Sequence, residues 1–134
     1  MKSILIVEDE GLLRMSLIAV LSDKYDVHAV ASGLEAIRYL RENEMDIVLL
    51  DMMMSDVDGV TVLSRLRSVR PSPSVIIHSV MSDPVRVAKI MRLGASDYLV
   101  KPCGASAVRE AIERALKERA QRQRSIERTY ALSA

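Results

Sequence analysis

Three short apolar runs in this chain each end in a group that metal-assisted phosphate chemistry uses. Ser3-Ile4-Leu5-Ile6-Val7 leads into Glu8-Asp9-Glu10, Asp46-Ile47-Val48-Leu49-Leu50 into Asp51, and Tyr98-Leu99-Val100 into Lys101-Pro102. A further run, Val75-Ile76-Ile77-His78, ends at Ser79. Carboxylates brought together repel and raise one another's pKa unless a cation lies between them. Oxygen-only ligands at a solvent-open edge suit Mg²⁺, or Mn²⁺ in its place, and such an ion completes its shell with water and phosphate oxygens. Glu8, Asp9 and Asp51 would supply the carboxylates, Lys101 a positive charge for a phosphoryl group and Ser79 a hydroxyl donor. That is an arrangement for phosphoryl transfer, which needs positioning and charge neutralisation more than covalent work by the protein. Taken singly, an Asp after a strand is a turn or cap residue and a Lys-Pro a surface loop. Convergence at one edge is what gives these residues a shared chemistry.

The runs lack polar alternation, which suits strands buried on both faces of a parallel sheet. Charges that follow such strands lie at the carboxyl edge, where open α/β sheets bind ligands. Between the strands the periodicity turns helical. Gly11 to Leu21 carries apolar residues at 12, 13, 17, 18, 20 and 21. After a short strand at Val27–Val30, Ser32 caps a helix running to about Asn43 with Ala36, Ile37 and Leu40 on one face. The loop from Met52 to Asp58 leads to Gly59 and a helix through Val62, Leu63, Leu66 and Val69, stopped by Pro71-Ser72-Pro73. Ser82-Asp83-Pro84 caps a helix that runs to Leu93 and ends at Gly94. A last helix starts near Ala105 and continues well past Leu116. Strict β/α alternation predicts an α/β fold, a parallel sheet covered by helices on both faces with right-handed crossovers.

Composition agrees. The 134 residues suffice for one domain with a real core, and 49% are hydrophobic, which excludes disorder. With four Tyr and neither Phe nor Trp, the core is aliphatic. A formal net charge of +1 makes no case for nucleic-acid binding. The single cysteine, Cys103, fits a reducing compartment. Met1 leads straight into a strand, so no signal peptide is expected. No apolar stretch approaches the roughly 20 residues of a membrane span. The expected location is cytoplasmic.

The pieces "ILIVEDE", "DIVLLDMMMSDVDG", "VIIHSV" and "GASDYLVKP", in this order and spacing, resemble the response regulator receiver domain of bacterial two-component systems. The likeness spans residues 2 to about 118. It implies a flavodoxin-like, doubly wound five-stranded parallel sheet of order 2-1-3-4-5 with five helices, the last extended. By the same resemblance Asp51 is the phosphoacceptor, and Glu8, Asp9 and Asp51 hold Mg²⁺ together with the backbone carbonyl of Met53. Ser79 is the switch hydroxyl, Lys101 pairs with the phosphoaspartate, Tyr98 is the switch aromatic, and Pro102 forms a cis peptide that aims Lys101 at the site. The implied partner is a sensor histidine kinase or phosphotransfer protein. The implied catalysis is limited to the domain's own phosphorylation and dephosphorylation, and the output is a shift between two states of the face made by the fourth helix, fifth strand and fifth helix.

Some residues depart from the family pattern. Ser55 stands where many receivers carry proline, which predicts a looser loop. Val80 replaces a small residue beside Ser79, where it would hinder Ser79 or narrow access to Asp51. Met53 and Met81 lie two residues beyond Asp51 and Ser79, and neither side chain can orient an attacking water by hydrogen bonds. A phosphorylated form of moderate to long life follows. Cys103 reads as a small buried hydrophobe, His78 as a packed histidine and His28 as a surface residue. The methionines at 52–54 read as loop and core filler.

Rival readings are weaker. A phosphatase with an aspartate nucleophile needs a second acid two positions on, where Met53 stands. A flavin or nucleotide sheet needs glycines and hydroxyls after its first strand, where this chain has three acids. A degenerate receiver acting as a phosphorylation-independent binding module would not require the full set of site residues. The division expected is a receiver over 1–118 and a basic helical extension or linker over 119–134. From Lys117 onward five Lys/Arg face two Glu. This reads either as a solvated helix with a frayed tail at 131–134 or as a pairing helix, with Ile112, Leu116, Ile126 and Tyr130 at heptad spacing and Arg119 and Gln123 interrupting the seam. The candidate homodimer interfaces are therefore the output face and the extended helix. The chain could also be the receiver piece of a longer DNA-binding transcription regulator, although it has no helix-turn-helix and no nucleic-acid surface of its own is expected.

Overall fold

The computed structural model describes residues 1–54 and 56–133. The looser loop expected at Ser55, and Ala134 at the end of the expected frayed tail, fall outside the described residues. Five strands alternate with five helices: β1 (Ser3–Val7), α1 (Gly11–Leu21), β2 (Asp26–Val30), α2 (Gly33–Glu42), β3 (Ile47–Leu50), α3 (Gly59–Ser68), β4 (Ser74–Ser79), α4 (Pro84–Arg92), β5 (Asp97–Val100) and α5 (Ala105–Ser133). The sheet is parallel throughout, in the order β2-β1-β3-β4-β5.

The absence of polar alternation in the central strands has the expected cause. Successive side chains point to opposite faces, and both faces are covered. Leu5, Val7, Val48, Leu50, Val75 and Ile77 face a core completed by α2, α3 and α4. Their neighbours Ile4, Ile6, Ile47, Leu49 and Ile76 face the other core, completed by α1 and α5. The edge strands β2 and β5 are less buried than the three between them.

Side chains at the helix starts satisfy free backbone donors. Ser32 accepts from the Glu35 N–H at 3.1 Å and Asp83 from the Arg86 N–H at 3.1 Å, with Pro84 opening the helix behind it. Asp58 caps α3 through the Val60 N–H at 3.3 Å. Gly94 ends the fourth crossover with φ +114°, a conformation that favours glycine.

Three sequence expectations are corrected here. Leu12, counted in the apolar stripe of α1, is 79% exposed, because α1 turns Leu17 and Leu21 inward and its first turn packs on the core through Leu13 instead. Ile112, counted in a pairing seam on the last helix, is fully buried in the chain's own core, and Leu116 packs against that core. The inward stripe of α5 is Val108, Ala111, Ile112 and Ala115. Arg119 continues it, donating to the Ser72 carbonyl at 2.8 Å. The interruption at Arg119 is therefore an anchor to the chain's own domain. Residues 131–133 are helical rather than frayed; α5 has 29 residues, a rod of roughly 43 Å.

Candidate functional site

Backbone hydrogen bonds carry the sheet one residue past its strands. The Glu8 N–H donates to the Val30 carbonyl at 3.2 Å, the Asp51 N–H to Val7 at 3.1 Å and the Lys101 N–H to Ser79 at 2.8 Å. The first residue after each strand is thus held in register, which brings residues distant in sequence together at the carboxyl edge. Glu8, Asp9 and Asp51 each place a carboxylate oxygen within 4.8 Å of the others. Lys101 spans two of them, its Nζ 2.7 Å from Glu8 Oε1 and 3.2 Å from Asp51 Oδ2.

The remaining acceptors of the two buried carboxylates are also engaged. Glu8 Oε2 accepts the Glu10 N–H at 3.2 Å, and Asp51 Oδ1 accepts the Met53 N–H at 3.0 Å. Glu8 is 2% exposed and Asp51 5%, whereas Asp9 faces solvent. Burial raises the Glu8 carboxyl above its ordinary value, against the lowering effect of the Lys101 hydrogen bond. Burial pushes the Lys101 ammonium down, but Glu8 and Asp51 outweigh it and hold it above its usual range.

Three carboxylates and one ammonium leave two negative charges in this pocket. A divalent cation neutralises that excess, and hard carboxylate oxygens open to water on the Asp9 side are the donor set Mg²⁺ prefers. The residues present therefore fit the ion. Glu10, the third acid of the run, is used otherwise: it caps α1, accepting the Leu13 N–H at 2.6 Å.

Ser79 and Tyr98 meet through a residue that the sequence assigned to another role. The Ser79 hydroxyl, fully buried, accepts the Met81 N–H at 3.3 Å. The Tyr98 hydroxyl donates to the Met81 carbonyl at 2.5 Å. The Met81 backbone thus links the two, and in this state Ser79 makes no hydrogen bond to Asp51 among those of the described residues. Burial raises the Tyr98 phenol, partly offset by the Ser79 hydroxyl. The Lys101–Pro102 peptide is cis, as the resemblance implied; Arg70–Pro71, for which the sequence carried no such expectation, is cis too.

Val80, the residue after Ser79, is 59% exposed. Met53 is exposed, Met52 is core and Met54 packs against it, in line with a filler role. Cys103 is half-buried against the second core, and burial pushes its thiol up, away from thiolate reactivity. His78 is buried. His28, on the edge strand, sits 3.2 Å from Asp26 and tilts against Tyr39. Sequence reasoning missed Arg14, whose Nη1 donates to the Glu8 carbonyl at 2.9 Å and so fixes the loop that carries Glu8 and Asp9. It also missed Asp56, which accepts from the Leu34 N–H at 3.0 Å and the Gly33 N–H at 3.2 Å and ties the loop after Asp51 to α2.

Fold and site together define an α/β domain of the doubly wound class with an acidic, lysine-bridged pocket at its carboxyl edge. The chain belongs to the response regulator receiver domain family, whose model matches residues 4–113. It is 37% identical over 119 residues to the chemotaxis protein CheY of Listeria monocytogenes, covering 87% of this chain and all of that one. It is 32% identical over 92 residues to the transcriptional regulatory protein ZraR of Salmonella typhimurium, covering 69% of this chain and 21% of that one. Among solved structures, the signal receiver domain of a putative LuxO repressor protein from Vibrio parahaemolyticus superposes with a TM-score of 0.86 at 27% identity, covering 94% of this chain and 97% of that one. Receiver domains are signalling modules of two-component systems rather than classical enzymes. Among the described residues no helix is long and apolar enough to cross a membrane.

Proposed function

We propose that this chain accepts a phosphoryl group on Asp51 from a phosphohistidine of a sensor kinase or phosphotransfer protein, and that it works in the cytoplasm. The reading rests on the Lys101 ammonium held between Glu8 and Asp51 beside a cluster of three carboxylates. Glu8, Asp9, Asp51 and the Met53 carbonyl would hold Mg²⁺, which when bound neutralises charge on the phosphoryl oxygens during in-line transfer. Asp51 Oδ attacks phosphorus, the phosphohistidine nitrogen leaves, and an acyl phosphate forms. Lys101 then pairs with the new phosphoryl oxygens, and the Met53 N–H keeps its acceptor on the Asp51 carboxyl. Ser79 releases the Met81 N–H to reach the phosphoryl group, which frees the loop that Tyr98 also grips. The state of α4, β5 and α5 follows, and their exposed Val85 and Val100 offer apolar contact to an output partner or a second copy.

Residues 1–118 would form the receiver unit and 119–134 a helical extension or linker, a second route to pairing through Ile126 and Tyr130. Intact mass after incubation with acetyl phosphate tests the central claim. The expected result is one phosphoryl group gained, dependent on Mg²⁺, and no gain by Asp51→Asn. Absence of any gain by wild type points instead to a phosphorylation-independent binding module.

Hydrolysis supplies a second prediction. Met53 is exposed beside Asp51, and Met81 spends both its backbone N–H and its carbonyl on Ser79 and Tyr98. Neither side chain positions a water, so the phosphorylated form should persist for minutes or longer once acetyl phosphate is removed. Loss within seconds, followed by mass, contradicts this.

A further inference from the structure

At the opposite, amino edge of the sheet the extended α5 passes over the segments that begin β4 and β5 and leaves a cleft of about 970 Å³. Cations reach it from three parts of the chain: Lys2 before β1, Arg67 from α3, and Arg119 and Arg122 from α5. We propose that this cleft binds a di- or triphosphate anion, independently of the chemistry at Asp51.

The charge there is not balanced by the protein. Asp46 lines the cleft, but its Oδ2 already accepts the Ser3 N–H at 2.8 Å and the Ser3 hydroxyl at 3.2 Å, and its Oδ1 is 4.0 Å from Arg119. The other lining carboxylate is Glu118, while Arg124 adds a further cation. Among the described residues, Lys2, Arg67 and Arg122 make no ion pair. Like charges gathered from separate elements repel, and an anion shared between them removes the cost.

The guanidinium groups of Arg119 and Arg122 are also held in place before any ligand arrives. Arg119 donates to the Ser72 carbonyl at 2.8 Å and the Ser74 hydroxyl at 3.3 Å, and Arg122 donates to the same hydroxyl at 3.3 Å. Arg67 lies across Gly94, where an added Cβ would come within 2.5 Å of its Nε. Planar guanidinium forks fixed in this way suit phosphate oxygens better than flexible ammonium groups do. Several converging cations call for a ligand with several negative charges. The volume lies in the usual small-ligand range of roughly 300–1,000 Å³. Apolar wall from Pro73, Leu116 and Ile126 offers a nucleoside ring a place that inorganic polyphosphate would leave empty.

Isothermal titration of the full chain with sodium tripolyphosphate and with ATP, without Mg²⁺ and in about 50 mM NaCl, tests this. Saturable one-site binding is expected, weakened about tenfold by Arg122→Gln and by Arg67→Gln and retained by Asp51→Asn. Melting followed by circular dichroism identifies variants that remain folded. Tighter binding of ATP assigns a nucleotide as the source of the phosphates, and equal binding assigns the phosphate chain alone. The proposal is overturned by no saturable heat with either anion up to about 5 mM, by binding that survives both arginine substitutions, by loss in Asp51→Asn, or by an oligonucleotide that outcompetes both.

Discussion

Lys101→Met is expected to lower the unfolding free energy by about 3 kcal/mol at neutral pH in the absence of divalent metal, the usual cost of removing one partner from a buried ion pair. Methionine keeps the approximate length and volume of the side chain, so the loss reads charge rather than a cavity. Lys101 is 14% exposed and serves two carboxylates at once, Glu8 at 2.7 Å and Asp51 at 3.2 Å. Without it, Glu8 and Asp51 face each other and Asp9 with no counter-charge. Added Mg²⁺ should narrow the deficit. The variant pocket is more negative and binds the cation more tightly, so mass action stabilises it more than wild type. Urea unfolding of both proteins with and without about 10 mM MgCl₂ measures the difference. A deficit that ignores Mg²⁺ would mean that Lys101 acts through packing and that the acidic pocket is not the cation site.

That the sheet edge could be read from sequence at all follows from the way parallel strands are buried. Ile4–Val7, Ile47–Leu50 and Val75–Ile77 are covered on both faces, so they show as unbroken apolar runs, and Glu8 and Asp51, the first charges after the first two, mark the edge. Glu8, Asp51 and Lys101 meet because each is the first residue beyond its strand and the sheet's hydrogen bonding continues through it. Local chemistry was equally legible where side chains act on their own neighbours, as in the caps Ser32 and Asp83.

Contacts that depend on backbone atoms or on a distant helix were not. Nothing in the identity of Met81 shows that its N–H and carbonyl join Ser79 to Tyr98, because any residue carries those two groups. Arg14 acts on the carbonyl of Glu8, which is equally anonymous in sequence. Ile112 fits a heptad seam and a core stripe alike, since 3.5 and 3.6 residues per turn differ little over so short a span. Its full burial in the core shared with β1, β3 and β4 decides between them. Arg119 broke the seam on paper, yet its bonds to Ser72 and Ser74 show what the break is for.

A second large effect should come from His78, which is 4% exposed on β4. Burial, reinforced by the Lys101 charge and opposed by Asp51, lowers its pKa from 6.5 to about 4. The unfolded chain therefore binds a proton near pH 6.5 that the folded chain refuses until about pH 4. Between those values the unfolded state holds more protons, so stability falls as pH falls. The contribution is fully present above pH 6.5 and is lost as pH drops through the folded value, a total of about 3 kcal/mol. Glu8 acts in the opposite sense, because its raised pKa makes folding less favourable as pH rises through the carboxylate range. A comparison at each pH between wild type and His78→Leu largely cancels that shared term. Chemical unfolding from pH 7.5 to 4 should show a steeper decline in wild type, with the two curves diverging in slope below about pH 6.5. Parallel curves would mean that His78 takes up its proton at the same pH in the folded as in the unfolded chain, so that below about pH 6.5 β4 would carry a positive charge against Lys101 beneath the site.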